Sequence, residues 1–208
     1  NDDVEKAIGH VQYILQQQAA NLDAHLMLSA IRLTQKRYQL LLDETEPLLK
    51  LAKLPEQLLF NRAVAFEHFK RYEQLGATLN QILAANPNHA EALNFLGYSY
   101  AVQNLQLDQA ELLIKRALTL KPDDGYYLDS LAWVYFKKGD YAKAIELQSK
   151  ALKQIPHDTV MHEHYGDMLW KVGKQDEARA AWQKSIDLKS AQPELLRKKI
   201  TSGLETKP

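Results

Sequence analysis

The chain has 208 residues, of which 46% are hydrophobic and 25% are charged, as is usual for a globular protein. Lys plus Arg and Asp plus Glu both total 26, so there is no basic excess of the kind that nucleic-acid binders use to neutralise phosphates. The absence of Cys excludes disulfides, thiolate metal sites and a cysteine nucleophile. Good helix formers are abundant and Gly and Pro are few, which predicts an all-α protein.

Evenly spaced prolines indicate an internal repeat. Pro87, Pro122 and Pro156 are 35 and 34 residues apart, and each follows an apolar stretch with helical spacing. Measured from these prolines, the chain divides into consecutive segments of 34 or 35 residues: 22–55, 56–89, 90–124, 125–158 and 159–192. Each segment contains two amphipathic stretches joined by a short turn, which predicts one pair of helices per segment.

Residues 1–21 precede the first full segment. Ala7, Val11 and Ile14 fall at the twentieth, twenty-fourth and twenty-seventh positions of a preceding segment. We therefore interpret 1–21 as a second helix whose first helix is missing, as in a piece of a longer repeat protein, and expect the apolar side of residues 4–15 to be uncovered. The chain starts with Asn-Asp-Asp, without the basic and apolar lead of a signal peptide. No apolar run approaches the ~18 residues of a membrane span.

Two positions that did not define the register support it. The eighth position of each segment is small: Ser29, Ala63, Gly97, Ala132 and Gly166. The twentieth position is Leu or Ala, with one inserted residue allowed before Ala110: Leu41, Leu75, Ala110, Ala144 and Ala178. A small eighth residue would let the two helices of one pair approach closely.

The eleventh position is aromatic in the three middle repeats, at Phe66, Tyr100 and Tyr135. This succession of small, aromatic, Ala and Pro positions resembles the tetratricopeptide repeat. The resemblance implies an all-α, right-handed solenoid of stacked helix pairs, in which 1–208 form one domain. It implies about five full repeats, a leading half repeat at 1–21, and a capping helix with a tail at 193–208. Such helix pairs cannot bury their apolar faces alone, so stability comes from stacking on their neighbours.

Local signals refine the helix ends. Pro47 lies inside the second helix of 22–55, so we expect that helix to be kinked or split near Glu46. Gly139 and Gly173 suit left-handed helix ends, and Asp108 followed by Glu111 is typical of an N-cap with its capping box.

The C-terminal helix should run from Pro193 to about Thr201 and close the stack. Its inward residues are predicted to be Leu195, Leu196 and Ile200, and its outward, solubilising residues Arg197, Lys198 and Lys199. Trp182 falls at a buried position of the last full repeat, and we predict that it is core.

The sequence gives no sign of catalysis, and we predict no catalytic residue, cofactor or metal. His162 and His164 are two apart on a helix and point to different faces, whereas a zinc pair needs i and i+4. Phosphate-binding glycine loops and nucleophile elbows are absent. Asp123 and Asp124 fall in a turn, where such residues usually make local hydrogen bonds.

The family resemblance also implies a partner-binding groove, because the first helices of such repeats line the concave face. Carried over to this sequence, the groove residues that we predict are Phe60, Asn94, Tyr98, Tyr126, Asp129, Trp133, Phe136, Glu163, Asp167 and Trp170. Aromatic residues at helical spacing are often core, and that alternative stays open for Tyr98, Trp133 and Phe136. The acids favour a partner with basic as well as apolar residues. The lysines of a carboxylate clamp are absent from the fifth and ninth positions, which disfavours a chaperone-tail adaptor.

The leading functional hypothesis is a non-catalytic scaffold or adaptor that holds a protein or peptide in the groove. Residues 90–190 are similar to the C-terminal repeats of bacterial envelope lipoproteins that act as protease adaptors. That similarity implies a periplasmic location with a membrane-anchored parent chain, with the cytoplasm as the alternative. A second hypothesis is self-assembly through the repeat ends, giving a homo-oligomer. A third is RNA binding, which the charge balance ranks last.

Overall fold

The computed structural model describes residues 2–204, which form helices and no strand. The chain order is α1 (Asp2–Gln17), α2 (Leu22–Thr34), α3 (Tyr38–Thr45), a 3₁₀ helix (Glu46–Lys50), α4 (Glu56–His68), α5 (Tyr72–Ala85), α6 (Ala90–Val102), α7 (Leu107–Leu120), α8 (Gly125–Lys138), α9 (Tyr141–Gln154), α10 (Thr159–Lys171), α11 (Gln175–Asp187) and α12 (Pro193–Ser202). The segments from 22 to 192 thus contain one helix pair each, and the all-α prediction is confirmed. Over the same residues, none of the helices has the length and apolar character needed to cross a membrane.

The chain divides into two compact units, Asn1–Ala92 and Leu93–Pro208, which we call unit 1 and unit 2. The core of unit 1 includes Leu58, Leu75, Leu79 and Ile82, all fully buried. In unit 2, Ile114 between α7 and α8 and Trp182 of α11 are fully buried, as predicted for Trp182.

The repeat register is visible in the packing. The twentieth position is 0% exposed in all five repeats, at Leu41, Leu75, Ala110, Ala144 and Ala178. At the eighth position, a Cβ on Gly97 would lie 2.7 Å from Ile114 Cγ1, and one on Gly166 would lie 2.4 Å from Trp182 Nε1. The predicted close approach of paired helices is therefore confirmed at these glycines.

Helix ends follow the sequence signals in three places and depart from them in one. The helix containing Pro47 is split as expected, because α3 ends at Thr45 and the chain continues as a 3₁₀ helix. Gly139 and Gly173 both have φ of +82°. The capping box predicted at Asp108 is wrong: α7 begins at Leu107 after Gln106, and the Asp108 carboxylate accepts a hydrogen bond from Lys138 Nζ at 2.7 Å.

The two terminal helices correct three further expectations. In α1, Ile8 and Val11 are buried against Ala24 and Leu28 of α2, so the apolar side of this helix is covered there. The uncovered apolar side chains of α1 are those of Tyr13 and Ile14, 64% and 41% exposed.

In α12, Leu196 is 0% exposed and Ile200 packs on the same core, as predicted, but Leu195 is 42% exposed and does not face inward. Lys199 was predicted to lie on the outer side and instead faces α10, where its ammonium group binds Glu163 and Asp167.

Candidate functional site

The first helices of unit 2 bring aromatic side chains of α8 and α10 into one stack. The Trp133 ring lies 4.1 Å from the His164 ring and 4.9 Å from the Phe136 ring, nearly parallel to both. Lys137 Nζ lies 4.9 Å from the centre of the Trp133 ring, a cation–π distance. We call Trp133, Phe136 and His164 the aromatic platform.

The platform is partly core and partly surface. Trp133 and Phe136 are half-buried and pack against Ala132, Ala144 and other core residues, so the core alternative holds for part of each ring. Tyr126, about two turns before Trp133 on α8, is 57% exposed. The Trp133 indole Nε1–H is buried and has no acceptor within unit 2's described residues. A buried donor without a partner costs about 1–3 kcal/mol, so such a group favours a ligand or water that supplies an acceptor.

His164 lies beneath Trp133 in a buried polar cluster. Its Nδ1 is 2.9 Å from Asp129 Oδ1, which also accepts a hydrogen bond from Gln148 Nε2 at 2.7 Å. Burial opposes the charged form of the imidazole, but Asp129 and the neighbouring carboxylates of Asp167 and Glu163 outweigh it and raise the pKa of His164. The Asp129 carboxylate is therefore engaged inside the chain.

The other two predicted groove acids are also engaged inside the chain. Lys199 Nζ of α12 lies 2.7 Å from Glu163 Oε1 and 2.8 Å from Asp167 Oδ1, and Trp182 Nε1 donates to Asp167 Oδ1 at 2.9 Å. Burial raises the pKa of Asp167, and the Lys199 charge opposes that rise. A basic partner would have to compete with Lys199 for these carboxylates.

The remaining predicted residues are spread over both units. Phe60 lies on α4 of unit 1, with its ring 6.0 Å from that of His89. In unit 2, Asn94 and Tyr98 are half-buried on α6, and the Asn94 Oδ1 atom is buried without a donor. Trp170 is 5.5 Å from Trp182 and packs on the core under α12, where a Cβ on Gly203 would lie 2.0 Å from its ring.

Sequence reasoning missed His164, Gln148 and Lys199 as members of this site. His164 carried a signal, since it follows Asp129 by 35 residues and so comes one position later in the next repeat. Lys199 had no such signal in the sequence, because the direction of its side chain depends on how α12 docks.

Within residues 2–204, no group of three or more His, Asp or Glu side chains is arranged to hold a metal ion. His162 and His164 have different partners, the Pro156 carbonyl and the Asp129 carboxylate.

Comparison with known proteins identifies the repeat. The model of the tetratricopeptide repeat matches residues 77–125, and the model of anaphase-promoting complex (cyclosome) subunit 3 matches residues 103–185. A TPR repeat-containing protein of Pseudomonas aeruginosa is 35% identical over 115 residues, which is 54% of this chain. The chain spans only 20% of the length of that relative.

Solved structures share the fold at low sequence identity. A tetratricopeptide repeat protein from Parabacteroides merdae superposes with a TM-score of 0.80 at 22% identity, covering 96% of this chain and 80% of the other. A thermophilic TPR protein from Thermus thermophilus gives 0.72 at 20% identity, covering 87% and 97%. MamA from Desulfovibrio magneticus gives 0.64 at 19% identity, covering 80% and 94%. The repeat register, the helix pairs and these matches agree, and the chain is a tetratricopeptide repeat protein.

Proposed function

We propose that this chain is a non-catalytic adaptor that holds a protein or peptide partner against the first helices of unit 2. Tetratricopeptide repeats generally mediate protein–protein interaction and generally act as scaffolds without catalysis. The observation that carries the proposal here is the aromatic platform: Trp133 stacked on His164, with Phe136 beside it and an indole N–H that lacks an acceptor. Half-exposed aromatic residues of this kind are typical of binding hot spots.

The chemistry of the partner follows from the groups around the aromatic platform that have no partner within the chain. The nearby carboxylates of Asp129, Glu163 and Asp167 are already paired with His164 and Lys199, so they offer a basic partner little net attraction. The aromatic surface and the Trp133 N–H remain. They favour a partner that places an apolar side chain on the rings and a backbone carbonyl near the indole.

A pair of exposed positions allows a direct test. A photocrosslinking phenylalanine is placed at Tyr126, 57% exposed on α8, or at Leu112, 62% exposed on the second helix α7. Each labelled chain is irradiated in bacterial envelope and cytosolic extracts, and the adducts are identified by mass spectrometry. We expect a defined adduct from position 126 and none of the same protein from position 112.

A second substitution links that adduct to the platform. Trp133→Phe retains an aromatic ring for stacking but removes the unpaired N–H, and should weaken capture at position 126 while circular dichroism stays unchanged. Equal crosslinking from both positions, or capture at position 126 that is indifferent to Trp133→Phe, would contradict binding at this face.

The cellular setting is a further part of the proposal. The proposed setting is the bacterial periplasm, with the adaptor tied to a membrane-anchored chain, because residues 90–190 resemble envelope lipoprotein repeats; the Pseudomonas relative agrees only with a bacterial source. Fractionation of cells that produce the natural full-length protein tests this location, and recovery in the cytosol would contradict it.

Self-assembly is a second candidate function, favoured by the exposed side chains of Tyr13 and Ile14 on α1. A contact between copies through these residues would bury apolar surface. Light scattering over a range of concentrations should then show a rising mass that a Tyr13→Ser, Ile14→Ser variant lacks. A constant monomer mass would exclude it.

A further inference from the structure

Unit 1 contains a cavity of about 490 Å³ on the side formed by its second helices. That volume lies within the range of small-ligand sites, roughly 300–1,000 Å³. Its first wall is α3 with the 3₁₀ helix, its second wall is α5, and its floor is α4. The wall residues recur every three or four positions, as on one face of a helix: Gln39, Asp43 and Glu46 on the first wall, and Gln74, Ala77 and Gln81 on the second.

The cavity is linked to the break in the helix at Pro47. Because Pro47 has no backbone N–H, α3 ends at Thr45, and the chain turns into the 3₁₀ helix that carries Glu46 and Leu49 along the cavity.

The junction between α3 and the 3₁₀ helix is held by Arg62 of α4, whose side chain is only 3% exposed. Its Nη1 donates to Thr45 Oγ1 at 2.6 Å and to the Leu42 carbonyl at 3.2 Å, and its Nη2 lies 2.7 Å from Glu46 Oε2. A buried guanidinium with these partners holds the first wall in place, so the cavity is built into the fold.

The lining combines an apolar floor with a polar, charge-balanced rim. Leu42, Leu59 and Phe66 form the apolar part. The exposed carboxamides of Gln39, Gln74 and Gln81 stand on both walls, and each can donate and accept hydrogen bonds. Gln39 Nε2 already donates one hydrogen bond to Asp43 Oδ1 at 2.7 Å, which leaves its carbonyl oxygen and its second N–H for a ligand. The two acids, Asp43 and Glu46, are balanced by two cations, Arg62 and Arg71. Such a site offers no net charge to attract an ionic ligand.

We propose that this cavity binds a short, extended and uncharged peptide segment of a protein partner. Peptide backbones present alternating N–H and C=O groups, which carboxamides on two facing walls can pair with. One apolar side chain of the peptide fills the space above Leu59 and Phe66. The row from Gln74 to Gln81 spans about 10 Å of helix, which matches about three extended residues. The cavity lies wholly in unit 1, so this proposal can be tested independently of the aromatic platform of unit 2.

The probes are three blocked tripeptides with acetylated and amidated ends: Ala-Leu-Ala, Ala-Glu-Ala and Ala-Lys-Ala. They are titrated into the full isotope-labelled chain while the side-chain amide signals of Gln39, Gln74 and Gln81 are followed by NMR. The leucine peptide should give saturable shifts at these three side chains. The two charged peptides should bind more weakly, because neither finds a net opposite charge and neither fills the apolar floor.

Two substitutions on the same helix separate the cavity from the rest of the surface. Ala77→Arg places a long side chain in the cavity and should weaken the leucine peptide by about tenfold or more. Ala84→Arg, at an exposed position of α5 outside the cavity, should bind the peptide as the parent chain does. The proposal is overturned by an absence of saturable shifts, by equal binding of the charged peptides, or by equal effects of the two substitutions.

Discussion

At the residue scale, the eighth position of the repeat sets how closely two paired helices approach. Gly166 faces the indole of Trp182 so closely that a Cβ would lie 2.4 Å from Nε1 and 3.0 Å from the Ala178 carbonyl oxygen. Trp182 is fully buried and held by its hydrogen bond to Asp167, so it has little freedom to move aside. The glycine is therefore required by packing, not by its backbone conformation.

We accordingly expect Gly166→Ala to lower the free energy of unfolding by about 1–3 kcal/mol, the usual cost of overpacking a core. The matched control is Gly9→Ala on α1, where an added Cβ meets nothing within 4 Å. That change should raise the free energy of unfolding by about 0.5–1 kcal/mol, because Ala is the better helix former. Urea denaturation of both variants measures these changes. If both substitutions changed the free energy of unfolding equally, the Trp182 side chain would have moved aside at little cost.

The buried pair of His164 and Asp129 makes stability depend on pH. Because the folded state raises the pKa of His164, it holds the proton more tightly than the unfolded chain does. The pair's contribution to the free energy of unfolding should be fully present below pH 6.5, the ordinary pKa of histidine. It should be lost as the pH rises through the higher pKa that His164 has in the folded chain. The groups that face the imidazole are Asp129 on α8 and Glu163 and Asp167 on α10, with Lys199 of α12 beyond them.

The measurement is urea unfolding of the parent chain and of His164→Gln at about pH 6 and about pH 8.5. The parent should exceed the variant by more at the lower pH, since only the parent gains a protonated imidazole beside Asp129. A difference between the two chains that stays the same at both pH values would mean that His164 does not titrate across this range.

Burial at single positions could be predicted from the sequence, whereas polar partners could not. The periodic pattern places Leu41, Ala144 and Ala178 in the core because burial depends on the helix face alone, and all three are 0% exposed. The partner of Asp167 is Lys199 on another helix, 32 residues away. Which cation reaches a given carboxylate depends on how the helices dock, and the hydrophobic period does not contain that information.

At the element scale, helix ends show the same contrast. The fifteenth position of each full repeat is left-handed, at Lys36, Lys70, Asn104, Gly139 and Gly173, with φ between 55° and 82°. The two glycines, and to a lesser degree Asn104, indicate this conformation in the sequence. Lys36 and Lys70 adopt it because the helix pair must reverse direction there, and the tertiary fold overrides the preference of lysine.

The docking of α12 offers a prediction for a whole element. Lys199 is the cation for Glu163 and Asp167, and the three side chains are 13%, 17% and 9% exposed. Lys199→Met should lower the free energy of unfolding by about 3 kcal/mol, because it leaves two partly buried carboxylates without a partner. Unfolding followed by tryptophan fluorescence reports on this region through Trp170 and Trp182.

The control on the same helix is Arg197→Met. Arg197 pairs with Glu194, and both side chains are exposed, by 59% and 82%. An exposed pair of this kind contributes only about 0–1 kcal/mol. If the two substitutions cost the same, the position of Lys199 over α10 would not be what secures α12.

At the scale of the whole molecule, charge separates protein binding from RNA binding. The 26 cationic and 26 acidic side chains cancel, and the acids at the first-helix positions of unit 2 are neutralised by His164 and Lys199. Binding to single-stranded RNA draws a large share of its free energy from releasing counterions, which requires an excess of cationic groups along a surface. Neither the chain as a whole nor this face supplies one.

We therefore expect no mobility shift of a labelled single-stranded RNA, even at about 50 mM salt where electrostatic binding is strongest. A positive control can be made from the chain itself by replacing Asp108, Asp176 and Glu194 with Lys. Their side chains are 96%, 103% and 82% exposed, so the fold should tolerate the change while each replacement raises the net charge by two. This variant should retain RNA at low salt and release it as salt rises. If the parent chain also shifts RNA, with a dependence on salt as steep as the variant's, a cationic surface exists that the balanced composition conceals, and RNA binding would displace protein binding as the leading function.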